Sequence, residues 1–140
     1  MKHSRGMSLI ELLTVVGIVA ILGVLAVGSY RNYGLRTNRA EGQTALLRIQ
    51  VAQETFFLQN NTYTLDLVDA PPNGLGIGNT STNNYYKLTV VPGATGTIAT
   101  SFVATATAAG TQTADLPACQ VYTIDDQGQR QPNDASGCWK

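Results

Sequence analysis

The side chain in this sequence best suited to chemistry is Glu11, because it is a carboxylate inside an almost continuously apolar run. The run covers residues 7–27 and, at about 1.5 Å per helical residue, would extend roughly 31 Å, enough to cross the hydrocarbon core of a membrane. An ionisable group at the centre of a membrane costs about 2.5–3.5 kcal/mol even on insertion scales. We therefore predict a functional role for Glu11, with a specific partner for its charge.

Two cationic residues, Lys2 and Arg5, precede the apolar run. The positive-inside tendency predicts that this end stays in the cytoplasm and that residues 28–140 are exported. A secretory signal is cut at small residues after its apolar region, and the Ala-Val-Gly sequence at 26–28 is a tolerable match. Cleavage after Gly6 would instead keep the apolar helix and make Met7 the new N-terminus. An uncleaved signal anchor and a released soluble domain are the alternatives.

The two cysteines, Cys119 and Cys138, predict one disulfide, since an even count in an exported protein is typical of paired cysteines. The bridge would close a loop of about 20 residues and contribute roughly 3 kcal/mol in the chain-entropy model. The sequence contains no Cys-x-x-Cys motif, and its single histidine is His3, so two thiols would lack further metal ligands. We predict neither a metal nor a cofactor.

Catalytic residue patterns are missing from the sequence. After residue 6 there is no histidine, and the many Ser and Thr residues lie in no recognisable nucleophile motif. The acidic pair Asp125 and Asp126 offers too few oxygen ligands for calcium. The sequence therefore predicts a protein that is not an enzyme.

Charge is sparse and balanced, with nine basic and nine acidic residues and charged residues only 13% of the chain. Abundant Thr, Gly, Ala and Asn favour an exported, strand-rich surface protein. Loss of residues 1–6 would remove two basic residues. Residues 61–140 contain three basic and six acidic residues, a net charge of −3, which argues against a nucleic-acid partner.

The apolar run should continue as one helix to about residue 60, where Gln-Asn-Asn at 59–61 is a plausible stop. We predict an apolar transmembrane half over residues 7–28 and an amphipathic half over residues 29–60. The predicted face of the second half consists of Tyr30, Tyr33, Thr37, Ala40, Thr44, Leu47 and Val51, widened by Leu46, Ile49 and Phe56. A sheet is expected to pack around Leu47, Val51 and Phe56.

Alternating apolar residues after the helix predict an antiparallel sheet of about four strands, and hence an α+β fold. The predicted strands are 85–91, 97–107, 120–125 and a short one near 130–131. Residues 92–96 would form a hairpin loop. Residues 62–84 would form a long connection, with a possible short strand at 63–67.

The sequence from Gly6 to Leu13, GMSLIELL, resembles the leader of type IV pilins. The resemblance implies that a prepilin peptidase removes residues 1–6 after Gly6 and methylates the amine of Met7. It also implies that Glu11 sets the register of the subunit by pairing with the Met7 amine of a neighbour. The chain departs from the usual pattern at Met7, where Phe is common, and at Gly28, where many members have Pro.

The C-terminal region, with CQVYTIDDQGQR from Cys119 and GCWK from Gly137, is similar to that of PilE-type minor pilins. The resemblance implies a pilin fold, with a globular domain over residues 61–140 and a disulfide-bounded C-terminal region. It further implies a minor pilin that takes part in pilus priming, twitching motility, adhesion and DNA uptake.

The partners implied are major and minor pilins, the prepilin peptidase and the inner-membrane assembly platform. The chain would cross the inner membrane once, N-terminus inside, and later become part of an extracellular pilus. Three other functions stay open: a major pilin, a ComP-like DNA-uptake receptor and a type II secretion pseudopilin.

Overall fold

The computed structural model describes residues 8–133 and 137–139 of the chain. These fall into two units, one ending at Gly34 and one beginning at Leu35. A single helix, α1, covers Leu9–Asn60, because Pro is absent from this stretch and strong helix formers dominate its second half. The helix ends where sequence analysis placed the stop: Asn61 adopts a positive φ of 53°, a conformation that Asn tolerates better than most residues.

The face of α1 that packs in the second unit includes Leu46 and Ile49, which are fully buried as predicted, but differs from the predicted face elsewhere. The buried residues are Leu35, Gly42, Ala45, Leu46, Ile49 and Gln53. Leu47 and Val51, expected to meet the sheet, are 37% and 68% exposed, so that prediction was wrong at these two positions. The observed face includes Gly42 and Gln53, which have no large apolar side chain and so were not predicted to be buried. Phe56 packs at the edge of the core, as expected.

Gly42 belongs to the buried face because an aromatic ring lies directly on it. A Cβ atom at this position would stand 3.1 Å from ring atoms of Tyr86, closer than most carbon contacts allow. Tyr86 is fully buried. The missing side chain of Gly42 therefore lets the first strand of the sheet approach the helix closely.

The sheet is antiparallel and has four strands, as predicted from the sequence, and the strands follow chain order. The strands are β1 (Tyr86–Pro92), β2 (Phe102–Ala108), β3 (Val121–Asp125) and β4 (Arg130–Gln131). The second strand starts later than expected. Residues 97–101 form a turn in which the carbonyl of Thr97 accepts hydrogen bonds from the N–H groups of Thr100 and Ser101. The loop between β1 and β2 is thus longer than the predicted hairpin loop.

Alternation places one face of the sheet in the core and the other in solvent. Tyr86, Leu88 and Val90 of β1 point inward, together with Phe102, Ala104 and Ala106 of β2 and Tyr122 and Ile124 of β3. Strand register aligns these rows, with Leu88 opposite Ala106 and Ala106 opposite Tyr122. The inward side chains pack against Leu46 and Ile49 of α1 in one cluster, which gives the predicted α+β arrangement.

The connection from α1 to β1 contains no strand at 63–67, contrary to the possibility raised from sequence. Its first residues are held by the buried side chain of Gln53. The Nε2 group of Gln53 donates to the carbonyl of Thr64 at 2.6 Å, while its Oε1 atom accepts from the Thr64 N–H at 3.0 Å. A buried amide that satisfies a loop backbone replaces the strand pairing that this segment lacks.

The segment between β2 and β3 forms two short 3-10 turns, Gly110–Ala114 and Pro117–Cys119. Cys119 and Cys138 are joined by a disulfide with a Cα–Cα distance of 5.3 Å. The indole N–H of Trp139 donates to the carbonyl of Gln131 at 2.7 Å. These two links fasten the C-terminal segment to the second 3-10 turn and to β4.

Candidate functional site

Large apolar side chains along the first part of α1 are exposed in this chain. From Leu9 to Val27 their exposed fractions range from 52% to 85%. By length and composition, this is the helix that could cross a membrane. Such a large apolar surface must be covered by lipid or by other protein, since exposed patches of this size mark interaction sites.

Glu11 lies in the first turn of this helix, and the carboxylate has no hydrogen-bond or ion-pair partner among residues 8–133 and 137–139. Its backbone N–H donates to the carbonyl and the hydroxyl of Ser8. Gly6 and Met7, the predicted cleavage site and new N-terminus, lie outside the described residues. The structure thus places the Glu11 carboxylate on the surface of the helix. Its predicted partner, the Met7 amine of a neighbour, belongs to another subunit.

Other polar side chains near the apolar segment are satisfied by their own helix. The Thr14 hydroxyl donates to the carbonyl of Glu11 at 2.8 Å, and the Ser29 hydroxyl donates to the carbonyl of Leu25 at 3.4 Å. Neither hydroxyl therefore needs an external partner. Glu11 differs from both because a carboxylate on a helix surface cannot bond its own backbone carbonyls.

One ion pair occurs among the described residues, and it is structural. Nε of Arg39 donates to Oδ2 of Asp115 at 2.7 Å, and the second guanidinium contact reaches Oδ1. The two side chains are only 11% and 3% exposed. The buried amide of Gln112 donates to Oδ2 of Asp115 and to the carbonyl of Leu35. This cluster joins α1 to the first 3-10 turn.

Burial of Asp115 disfavours its charge, but the hydrogen bonds from Arg39, Gln112 and the Leu116 N–H, together with the charge of Arg39, outweigh burial. The pKa of the Asp115 carboxyl therefore lies below its ordinary value. Arg39 is correspondingly held in its charged form, with a raised pKa. This pair could not be predicted from the sequence because the two residues are 76 positions apart. No local pattern predicts such a contact.

The part of α1 in the second unit carries exposed charges near both of its ends. Arg36 and Arg48 are exposed and have no carboxylate partner among the described residues. Toward the other end of the helix lies Glu54, whose Oε1 atom accepts a hydrogen bond from the hydroxyl of Tyr63 at 3.2 Å. Burial, Glu54 and the charge of Asp126, in that order, raise the pKa of Tyr63, so two carboxylates act on this hydroxyl. Arg36 and Glu54 are about 27 Å apart along the helix.

Aromatic and polar side chains of the C-terminal region serve packing. Trp139 is 5% exposed, and its ring meets Tyr122 edge-on at 5.5 Å between centroids. The guanidinium of Arg130 lies 5.2 Å from the centre of the indole ring. The amide of Gln43 donates to the carbonyl of Cys138 at 2.6 Å. Among the described residues, no cluster of His, Cys, Asp and Glu side chains is arranged to hold a metal.

Comparisons with known proteins agree with these features. Residues 28–123 match the family model described as type IV minor pilin ComP, DNA uptake sequence receptor. Residues 1–27 match the prokaryotic N-terminal methylation motif. The second match covers the apolar run and Glu11, and the first covers the rest of α1 and most of the sheet.

A relative and a solved structure extend the comparison. The type IV major pilin protein PilA of Myxococcus xanthus is 34% identical over 61 residues, which are 44% of this chain and 28% of that protein. The chain thus matches little more than a quarter of the length of this relative. A type IV pilin from Shewanella oneidensis superposes with a TM-score of 0.52 and 23% identity, over 76% of this chain and 98% of the other, which supports the fold. With the family model spanning most of the chain, these observations show that the chain belongs to the type IV pilin family.

Proposed function

We propose that this chain is a minor subunit of a type IV pilus, a structural protein that takes part in pilus assembly and priming. Through the pilus it contributes to twitching motility, adhesion and DNA uptake. The observation that carries the proposal is the apolar segment of α1, whose side chains are exposed from Leu9 to Val27. Lipid can cover this surface before assembly and neighbouring helices can cover it in a filament. The matching family model, which describes a minor pilin, supports the minor role.

In this proposal the chain is processed first, then held in the membrane, and finally assembled into the pilus. The prepilin peptidase removes residues 1–6 after Gly6 and methylates the amine of Met7. The chain then waits in the inner membrane as a single-pass protein, N-terminus inside, until the assembly platform moves it into the extracellular pilus. In the filament, the Glu11 carboxylate pairs with the Met7 amine of a neighbouring subunit. This pairing gives register to an apolar helix that otherwise has few distinguishing contacts.

Mass spectrometry of sheared surface filaments tests the proposal. We expect an N-methylated Met7 terminus at a trace ratio to another pilin. The same terminus in excess would make the chain a major pilin instead. Its presence in membranes alone, with none in filaments, would favour a type II secretion pseudopilin and overturn the proposal.

The opposite charges of Arg36 and Glu54, near the two ends of this part of α1, support head-to-tail contacts between subunits. The Arg36 end of one domain is complementary to the Glu54 end of another, and heterologous contacts of this kind build open filaments. We expect Arg36→Glu and Glu54→Arg each to lower the copy number in sheared filaments several-fold, because each places like charges against a neighbour. Lys87→Glu, which reverses an exposed charge on β1, is the control and should change incorporation little.

The double variant Arg36→Glu, Glu54→Arg separates two kinds of neighbour. If the neighbours are other pilins, as the minor role requires, the double variant should be at least as defective as the single variants. Restored incorporation would mean that copies of this chain contact one another and would favour a major pilin. Normal incorporation of both single variants would contradict the head-to-tail contact.

A DNA-uptake receptor is the second candidate function, and the family model favours it because its description names a DNA uptake sequence receptor. We rank this function second because residues 61–140 carry a net charge of −3. Affinity for DNA depends on basic side chains that neutralise its phosphates. Arg36 and Arg48 are exposed cations that could offset this deficit. An electrophoretic shift by the whole chain in detergent, with submicromolar and salt-sensitive affinity, would reverse this ranking.

A further inference from the structure

Two polar features of α1 lie one bilayer thickness apart. Glu11 and Tyr30 are separated by 19 residues on one continuous helix, a distance of about 29 Å. The hydrocarbon core of a typical bilayer is about 30 Å thick. Residues 12–28 contain one polar side chain, Thr14, and its hydroxyl is satisfied by the Glu11 carbonyl. The helix thus has an apolar segment of bilayer length with a distinct group at each end.

The far end of this segment has the composition of a membrane boundary. Tyr30 and Tyr33 are 81% and 70% exposed, and a spacing of three residues places them on one side of the helix. Arg31 lies between them and is also exposed. Tyr side chains concentrate where an apolar ring can face acyl chains while the hydroxyl reaches water, and Arg can contact lipid phosphates there.

We propose that these groups fix the depth of the helix in the membrane before assembly. Tyr30, Arg31 and Tyr33 lie in one layer of phospholipid headgroups, and the Glu11 carboxylate lies in the opposite layer. The proposal rests on the membrane-anchored stage of the proposed function. The partner it names is the headgroup layer of a phospholipid bilayer.

This placement changes the physical problem that Glu11 poses. At a boundary the carboxylate is hydrated and carries little desolvation penalty, whereas at the bilayer centre the penalty is severe. Movement of the helix toward the Tyr30 side would pull Glu11 into hydrocarbon. The subunit therefore resists leaving the membrane until a neighbour offers a positive charge to the carboxylate, which couples extraction to docking.

Cysteine accessibility in the full chain tests the proposed depth. Leu12→Cys and Val19→Cys are made separately, and each chain is placed in vesicles of phosphatidylethanolamine and phosphatidylglycerol with a membrane-impermeant maleimide on both sides. The natural cysteines form a disulfide and do not react. We expect labelling at position 12 to be at least about tenfold faster than at position 19, since the second lies in hydrocarbon. Equal protection of both positions would overturn the proposal.

Removal of the carboxylate tests whether Glu11 itself sets the depth. In the Leu12→Cys chain, the added change Glu11→Leu should slow labelling toward the rate at position 19. Thr14→Val is the matched control and should leave the rate unchanged, because that hydroxyl is already bonded within the helix. An unchanged rate after Glu11→Leu would mean that Glu11 is not an anchor.

The second anchor has its own readout. Tyr30→Trp and Val19→Trp are compared with the parent chain, whose Trp139 gives a constant background, in vesicles of lipids brominated at shallow or deep acyl positions. Tyr30→Trp should be quenched more strongly by the shallow bromines and Val19→Trp by the deep ones. Deep quenching of Tyr30→Trp would overturn the boundary placement. Fast labelling at positions 12 and 19 together would instead mean that the chain does not insert, which contradicts the membrane stage of the proposed function.

Discussion

Replacing Glu11 with leucine is expected to lower incorporation of the chain into filaments by more than about a hundredfold while the globular domain stays folded. In the proposed filament the Glu11 carboxylate neutralises a neighbouring Met7 amine inside a packed apolar core. Removing one member of a buried ion pair costs about 3–5 kcal/mol, because the other charge is left uncompensated. Each 1.4 kcal/mol is about a tenfold change in an association constant. The copy number in sheared filaments, relative to the amount in membranes, measures the effect.

Thr14→Val provides the matched control for this experiment. It also removes a polar group from the apolar segment, but the Thr14 hydroxyl bonds to the carbonyl of Glu11 within the same helix. We expect this variant to assemble normally. Filaments that contain Glu11→Leu at the parental copy number would contradict the registration role, whatever the result in vesicles. A variant that fails to enter the membrane would point to a different defect, so the membrane amount is measured in each case.

The elements of this fold follow from local sequence patterns because their signals are strong. An apolar run of more than 18 residues predicts a long apolar helix, and α1 is continuous from Leu9 to Asn60. Alternating residues fixed β1 and β3 to within one residue. The start of β2 was misplaced because residues 97–101 were included in the alternating strand that follows them. The carbonyl of Thr97 instead accepts from the N–H groups of Thr100 and Ser101, and its hydroxyl accepts from the N–H of Ala99, which closes a turn. Local hydrogen bonding by Thr and Ser competes with strand pairing there.

The contacts between elements could not be predicted in the same way. Gly42 is on the packed face of α1 because Tyr86, 44 positions later, lies on it. Gln53 is fully buried because its amide bonds the backbone of Thr64. Neither Gly42 nor Gln53 has a large apolar side chain, so the apolar pattern does not predict that they are buried. The same pattern predicts burial of Val51, which is exposed. Polar groups enter a core when a distant partner satisfies them, and that partner is visible only once the chain has folded.

Asp115→Asn is expected to lower the free energy of unfolding of the globular domain by about 3–5 kcal/mol, the range for breaking a buried ion pair. The change leaves the Arg39 guanidinium, only 11% exposed, beside a neutral amide. It also disturbs the bond that the buried Gln112 amide donates to Oδ2 of Asp115. Domains of this size are stable by about 5–15 kcal/mol in total, so the loss is severe. Urea unfolding of the full chain in detergent, followed by tryptophan fluorescence from Trp139, measures it.

Acid should remove the same stability from the parent chain. Burial alone would raise the pKa of Asp115, but the hydrogen bonds and charge of Arg39, with the bonds from the Leu116 N–H and Gln112, together place this pKa below its ordinary value. A carboxyl with a depressed folded-state pKa contributes its full stability above the unfolded-state pKa, about 3.9 for Asp, and loses it as the pH falls through the folded-state value. The urea concentration at which half of the parent chain is unfolded should therefore decrease when the pH is lowered below about 4. The decrease should be smaller for Asp115→Asn. Asp69→Asn, at an exposed position, is the control and should keep the parental pH dependence. Equal acid sensitivity of the Asp115→Asn and parent chains would show that the Arg39–Asp115 pair contributes little to acid unfolding.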